Sequence, residues 1–141
     1  MTLDLEALET SFDLVAPRGD ELMNAFYARL FATAPSVRTL FPRDMDTQKT
    51  MLLSALVLLR GSLRNLDEIV PTLHDLGARH VAYGARPEHY PVVREVLIGS
   101  MAAVAGPAWR LEYERAWVAA FGVVAGATLE GAEEASLEAA A

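Results

Sequence analysis

Three histidines, four tyrosines and no cysteine bound the chemistry open to this chain. The lack of cysteine removes thiolate nucleophiles, disulfides, iron–sulfur clusters and cysteine-type zinc sites. The histidines are His74, His80 and His89. A zinc site favours two histidines on one helix face, as in an i, i+4 pair. His74 and His80 are six residues apart, roughly 240° around a helix, so they diverge. The serines, at 11, 36, 54, 62, 100 and 136, lie in no nucleophile-elbow pattern, and no glycine-rich loop suits a phosphate. His80 is different. Leu73, Leu76, Gly77 and His80 recur at i, i+3, i+4 and i+7, which puts the imidazole on the apolar stripe of its helix. There it is either a core histidine with a satisfied hydrogen bond or a ligand pointing into a cavity.

Four other residues bear on that choice. Tyr27 lies on the apolar stripe of an earlier helix, and Phe41 stands alone at an apolar corner. Gln48 begins a long apolar helix, with Leu52 one turn later on the same face. A Tyr, a Phe, a Gln and a Leu facing a downstream His make a haem pocket. The histidine ligates iron, the phenylalanine wedges against the porphyrin, and Tyr and Gln donate hydrogen bonds to a diatomic ligand. Each residue also has a plainer reading. Tyr27 has a rival reading as a core tyrosine bonded to a backbone carbonyl. Gln48 fits a solvated first turn, because 44–50 is polar. Phe41 and Leu52 are buried either way. Arg79 beside the ligand reaches a haem propionate or solvent. Tyr90, next to Pro91, also suits packing at a helix start. Trp117 and Phe121 fit core packing, and His74 and His89 fit surface or helix-end positions.

The elements that must position these residues are all helical. Periodicity predicts helices over about 3–15, 19–33, 46–65, 71–82, 87–105 and 108–128, with a short helical turn opened by Pro35. The run from Met51 to Leu59 is apolar on most sides, which predicts burial on most sides. Asn65 and Asp67 read as turn or cap residues, Gly84 as a helix end, and Gly106-Pro107 as a break. The acidic, alanine-rich tail, about 130–141, either extends the last helix or frays. No strand or repeat pattern competes. The expectation is an all-α fold of six or seven helices around one haem, in a single domain over 1–141.

Composition narrows the partners. A formal net charge of −7 with one lysine disfavours DNA, which needs a clustered basic surface. The acidic N-terminus is not a secretory signal, and no apolar run is long enough to span a bilayer. A cytoplasmic protein is expected, as monomer or homodimer.

The ordered motifs resemble a known family. They run through Phe26-Tyr27-Ala28-Arg29-Leu30-Phe31 and Pro35-Ser36-Val37-Arg38-Thr39-Leu40-Phe41 to Gln48, Leu52, Asn65-Leu66 and Pro71. They continue with Leu76-Gly77-Ala78-Arg79-His80, His89-Tyr90-Pro91, Trp117 and Phe121-Gly122-Val123. Over about residues 5–129 the chain resembles bacterial single-domain haemoglobins and the globin domain of flavohaemoglobins. The resemblance implies a globin fold and haem b. It makes Tyr27 and Gln48 the distal hydrogen-bonding pair, with Phe41 and Leu52 beside the haem. His80 becomes the proximal iron ligand, with Leu76, Arg79 and Tyr90 around it. It further implies binding of dioxygen and nitric oxide, and nitric oxide dioxygenation to nitrate. Turnover would need a separate NAD(P)H-dependent reductase, since no reductase segment follows the globin motifs here. Oxygen storage, delivery or sensing without turnover, or a peroxidase-like use, is the alternative. Two departures stand out. The corner between Phe41 and Gln48 is about three residues shorter than in many relatives. At the place of a proximal glutamate, counted from Trp117, this chain has Ala132, with Glu133 beside it.

Overall fold

Prolines and glycines divide the chain where the helical pattern breaks. The computed structural model describes residues 3–140. Among them it holds six α-helices and no strand: α1 (Leu5–Val15), α2 (Gly19–Thr33), α3 (Asp46–Ser62), α4 (Val70–Ala82), α5 (His89–Ala105) and α6 (Leu111–Ala140). Short 3-10 turns cover Ala16–Arg18, Pro35–Leu40, Leu63–Ile69 and Gly106–Ala108. Pro17, Pro35, Pro71 and Pro107 sit at the first positions of helical segments, where a missing N–H leaves no bond unmade. Gly84 (φ 91°) and Gly106 (φ 61°) take the left-handed region where α4 and α5 stop.

The main core is built by α1, α2, α5 and the first half of α6. Leu8, Phe12 and Val15 meet Leu22, Met23, Phe26, Leu97, Met101, Val104 and Trp117 there. The indole N–H of Trp117 donates to Ser11 Oγ at 2.8 Å, and that hydroxyl donates to the Leu8 carbonyl at 3.1 Å. Both buried polar groups are thereby satisfied, so the core carries no desolvation penalty from them.

Helix α4 stands outside this core. Leu73, Leu76 and His80 are not part of the cluster. The helix packs on the C-terminal half of α6 and on the turn before it, with no comparable packing onto α3. Its far end touches the corner: a Cβ on Gly84 would lie 3.1 Å from Leu40 Cδ2.

One expectation needs correction. Helix α3 is not buried on most sides: Leu56 alone is buried, while Met51, Val57 and Leu58 are 53, 54 and 49% exposed. The helix lies at an edge and packs mainly on α2 and on the turn that follows it. An apolar helix is covered on most sides only where neighbours surround it. Of the two readings of the acidic tail, extension of the last helix holds: α6 runs on to Ala140. Alanine and glutamate propagate a helix well, and α4 covers Thr128 and Gly131, which are buried.

Candidate haem site

On the α2–α3 side the chemistry gathers around Tyr27. The side chain is buried, and its hydroxyl oxygen accepts from Gln48 Nε2 at 3.2 Å. Burial pushes the phenol above its ordinary pKa of 10.0, against a smaller opposing effect of the Gln48 bond. The hydroxyl therefore stays protonated through neutral pH, and its own hydrogen has no acceptor among the described residues. Aromatic rings fix the phenol. Phe26 lies 4.9 Å away edge-on, Phe41 5.7 Å and Phe31 5.9 Å between centroids. Phe41 thus does not stand alone: it packs on Tyr27 and, at 5.4 Å, on Phe31. Leu52 is half-buried against the main core, of which Tyr27 is part.

The short corner after Phe41 is held by Arg38, a residue that periodicity gives no reason to single out. Its guanidinium donates to the carbonyls of Phe41 (3.3 Å), Pro42 (2.9 Å) and Arg43 (3.2 Å). It also lies 5.0 Å over the Phe31 ring. One side chain ties three successive carbonyls, so a corner with few residues keeps a defined shape.

On the α4 side His80 is half-buried. Its Nδ1 donates to the Leu76 carbonyl at 2.7 Å. That bond fixes ring orientation and tautomer and leaves Nε2 unengaged among the described residues. Tyr83 approaches edge-on at 6.3 Å. Tyr90 is half-buried, and burial raises its pKa, but it makes no hydrogen bond to His80. Arg79 is exposed and has no hydrogen bond or ion pair among the described residues. Glu133 is exposed and Ala132 faces α4, so the imidazole has a backbone carbonyl as partner and no carboxylate. His74 pairs with Glu130 at 3.2 Å, and His89 Nδ1 accepts from the Arg86 N–H at the start of α5.

These residues suit haem on grounds of geometry and donor chemistry. α3 and α4 leave each other largely unpacked, and the half-buried Leu52 and Leu76 lie on those two helices. One imidazole offers a free, oriented Nε2, the usual iron-binding atom. Across the chain a buried, neutral phenol keeps a proton to donate.

The family model for globins, described as Globin, matches residues 24–128. The chain belongs to the globin family. As a globin it is a haem-binding protein. A flavohemoprotein of Bacillus subtilis is 29% identical over 126 residues, 87% of this chain and 32% of that protein. The chain therefore spans about a third of the length of that curated relative. A bacterial globin from Campylobacter jejuni superposes with a TM-score of 0.81 at 22% identity, covering 92% of this chain and 94% of that one. An engineered carbene transferase from Rhodothermus marinus, whose parent carries a provisional nitric oxide dioxygenase assignment, gives 0.84 at 23%, covering 99% and 100%. The two structural likenesses speak for the globin fold.

Proposed function

We propose that this globin holds haem b through His80 Nε2 and presents dioxygen to nitric oxide beside Tyr27 and Gln48. The products are nitrate and an oxidised site, so one electron is needed per cycle: nitric oxide, dioxygen and one electron give one nitrate. An NAD(P)H-dependent reductase is the proposed electron source. Haem, when bound, supplies the gas-binding iron and its one-electron redox change.

The observation that carries this reading is the Gln48–Tyr27 bond of 3.2 Å inside an aromatic cage. Gln48 holds the phenol oxygen and so leaves the phenol hydrogen for a ligand. A neutral donor aimed at a site where negative charge develops is the arrangement that stabilises reduced dioxygen. The Phe41 and Phe31 rings packed on the phenol make its surroundings apolar. His80, set by Leu76, is the proposed ligand, and Arg79 and Tyr90 are proposed for the haem edge and the proximal side.

A second reading is reversible oxygen binding without turnover. It is favoured over peroxidase-like chemistry because Nδ1 of His80 has a neutral carbonyl partner. Carboxylate partners strengthen electron donation to iron; a carbonyl does so less. Mixing the oxygenated ferrous protein with nitric oxide by stopped flow separates the readings. One nitrate per haem, formed within the mixing experiment, supports dioxygenation. Nitric oxide that merely displaces oxygen, with no nitrate, removes it.

A further inference from the structure

Helices α4 and α6 meet through their backbones. A Cβ on Gly77 would lie 1.8 Å from the Thr128 carbonyl oxygen and 2.9 Å from the Ala132 nitrogen. A Cβ on Gly131 would lie 2.1 Å from the His74 carbonyl oxygen and 2.4 Å from its Cα. No side chain fits at either place unless a helix backbone moves. The contact is reciprocal: each glycine, bare of a side chain, lies over a carbonyl of the other helix, where a Cα–H can meet it. Gly122 and Gly126 of the same α6 are unlike this, since a Cβ there meets nothing within 4 Å. At the rim, His74 Nε2 donates a hydrogen bond to Glu130 at 3.2 Å.

The crossing lies in the turn that orients the imidazole. Gly77 directly follows Leu76, whose carbonyl receives the His80 Nδ1 hydrogen. His80 is three residues on, about 4.5 Å along the helix. Apart from the turn before it, α4 has no other extensive packing, and it takes no part in the main core.

We propose that Gly77 and Gly131 are positioning residues: their backbone crossing fixes α4, and with it the height and tilt of His80. The inference rests on the reading that His80 holds the haem iron. The crossing does for the helix what a glutamate on α6 would do for the ring, but through main chain. Since Leu76 and His80 travel together with α4, a shift of the helix keeps the Nδ1 bond and moves Nε2.

Gly77→Ala and Gly131→Ala, loaded with haem, test this. Each variant is expected to release haem to excess apomyoglobin on the order of tenfold faster, the factor that ~1.4 kcal/mol carries. Each is also expected to shift the ferrous iron–histidine stretch in resonance Raman. Gly126→Ala, on the open face, is expected to change neither. Unchanged release and an unchanged band in Gly77→Ala would overturn the proposal. A variant that does not fold leaves a second measurement on the unaltered chain. With haem removed, the amides of Ala78 and Ala132, which bond the His74 and Thr128 carbonyls in their helices, should stay protected from hydrogen exchange. Exchange there at the rate of an open chain overturns the crossing as an anchor. Full haem retention by His80→Ala would remove the haem ligand reading instead, and that result leaves the amide test standing.

Discussion

A tyrosine can steady a gas ligand only while it keeps its proton, and Tyr27 is built to keep it. Burial raises its pKa from 10.0, so the phenol remains a donor through neutral pH. A hydrogen bond to a partly charged acceptor contributes roughly 1.5–3 kcal/mol. Tyr27→Phe is therefore expected to speed oxygen release by about tenfold to a hundredfold, measured by flash photolysis or stopped flow. An unchanged rate would mean that the hydroxyl serves only the fold. The same pKa shift has a stability sign. With the folded value raised, the unfolded chain loses its tyrosine proton first as pH rises. Stability from this group is fully present below pH 10.0 and declines above it, as denaturant midpoints taken from pH 9 upward can follow. The proximal side makes a different prediction. Ala132→Glu should raise the ferrous iron–histidine stretch, because a carboxylate beside α4 can take the His80 hydrogen from the Leu76 carbonyl. Glu133→Gln should leave it unchanged, since Glu133 is exposed. The reverse pair of results would mean that Glu133 already fills the role. At this scale the candidates were legible: Tyr27 and His80 lie on apolar stripes, and Gln48 begins an apolar helix. Arg38 was not legible, because its role is to bind three carbonyls of a corner that has no periodicity to read.

Helix spans follow from sequence because a 3.6-residue period is a property of one segment. Gly19–Thr33 and the end of α4 near Ala82 fall where the pattern and Gly84 put them. What surrounds a helix is a property of several segments, and there the pattern misleads. The run from Met51 to Leu59 has too few polar residues to point either way, and α3 exposes half of it. That makes a test at the level of one helix. Val57→Glu and Leu58→Lys are expected to change stability by no more than about 0.5 kcal/mol, as surface substitutions do. Leu56→Ala, on the covered face, is expected to cost about 2–5 kcal/mol. Urea unfolding of the haem-loaded protein measures both. A large loss from Leu58→Lys would mean that the outer face of α3 is covered after all. The α4–α6 crossing escaped the sequence for the same reason. Gly77 and Gly131 lie 54 positions apart, and neither has a local need for glycine such as a positive φ. Only the approach of two backbones shows what they are for.

At the scale of the molecule, the fold divides the work between two packed units. α1, α2, α5 and the first half of α6 make the main core, while α4 rests on the far half of α6. The thirty-residue α6 joins them, and the turn between α3 and α4 makes a second link between the Tyr27 side and the His80 side. The proposed electron source lies outside these 141 residues. They carry no glycine-rich loop for a nucleotide cofactor and no flavin motif, and the flavohemoprotein relative is about three times as long. Nitric oxide consumption by this chain is thus expected to show one fast phase, equal to the haem content, and then to stall in the presence of NADH alone. Adding an NAD(P)H-dependent flavin reductase should restore steady consumption, with two nitrates per NAD(P)H, because each pair of electrons regenerates the site twice. A nitric oxide electrode with parallel nitrate assay reads both phases. Sustained consumption with NADH and no reductase would mean that an electron-entry site lies within these helices, and the division between gas chemistry and electron supply would fall.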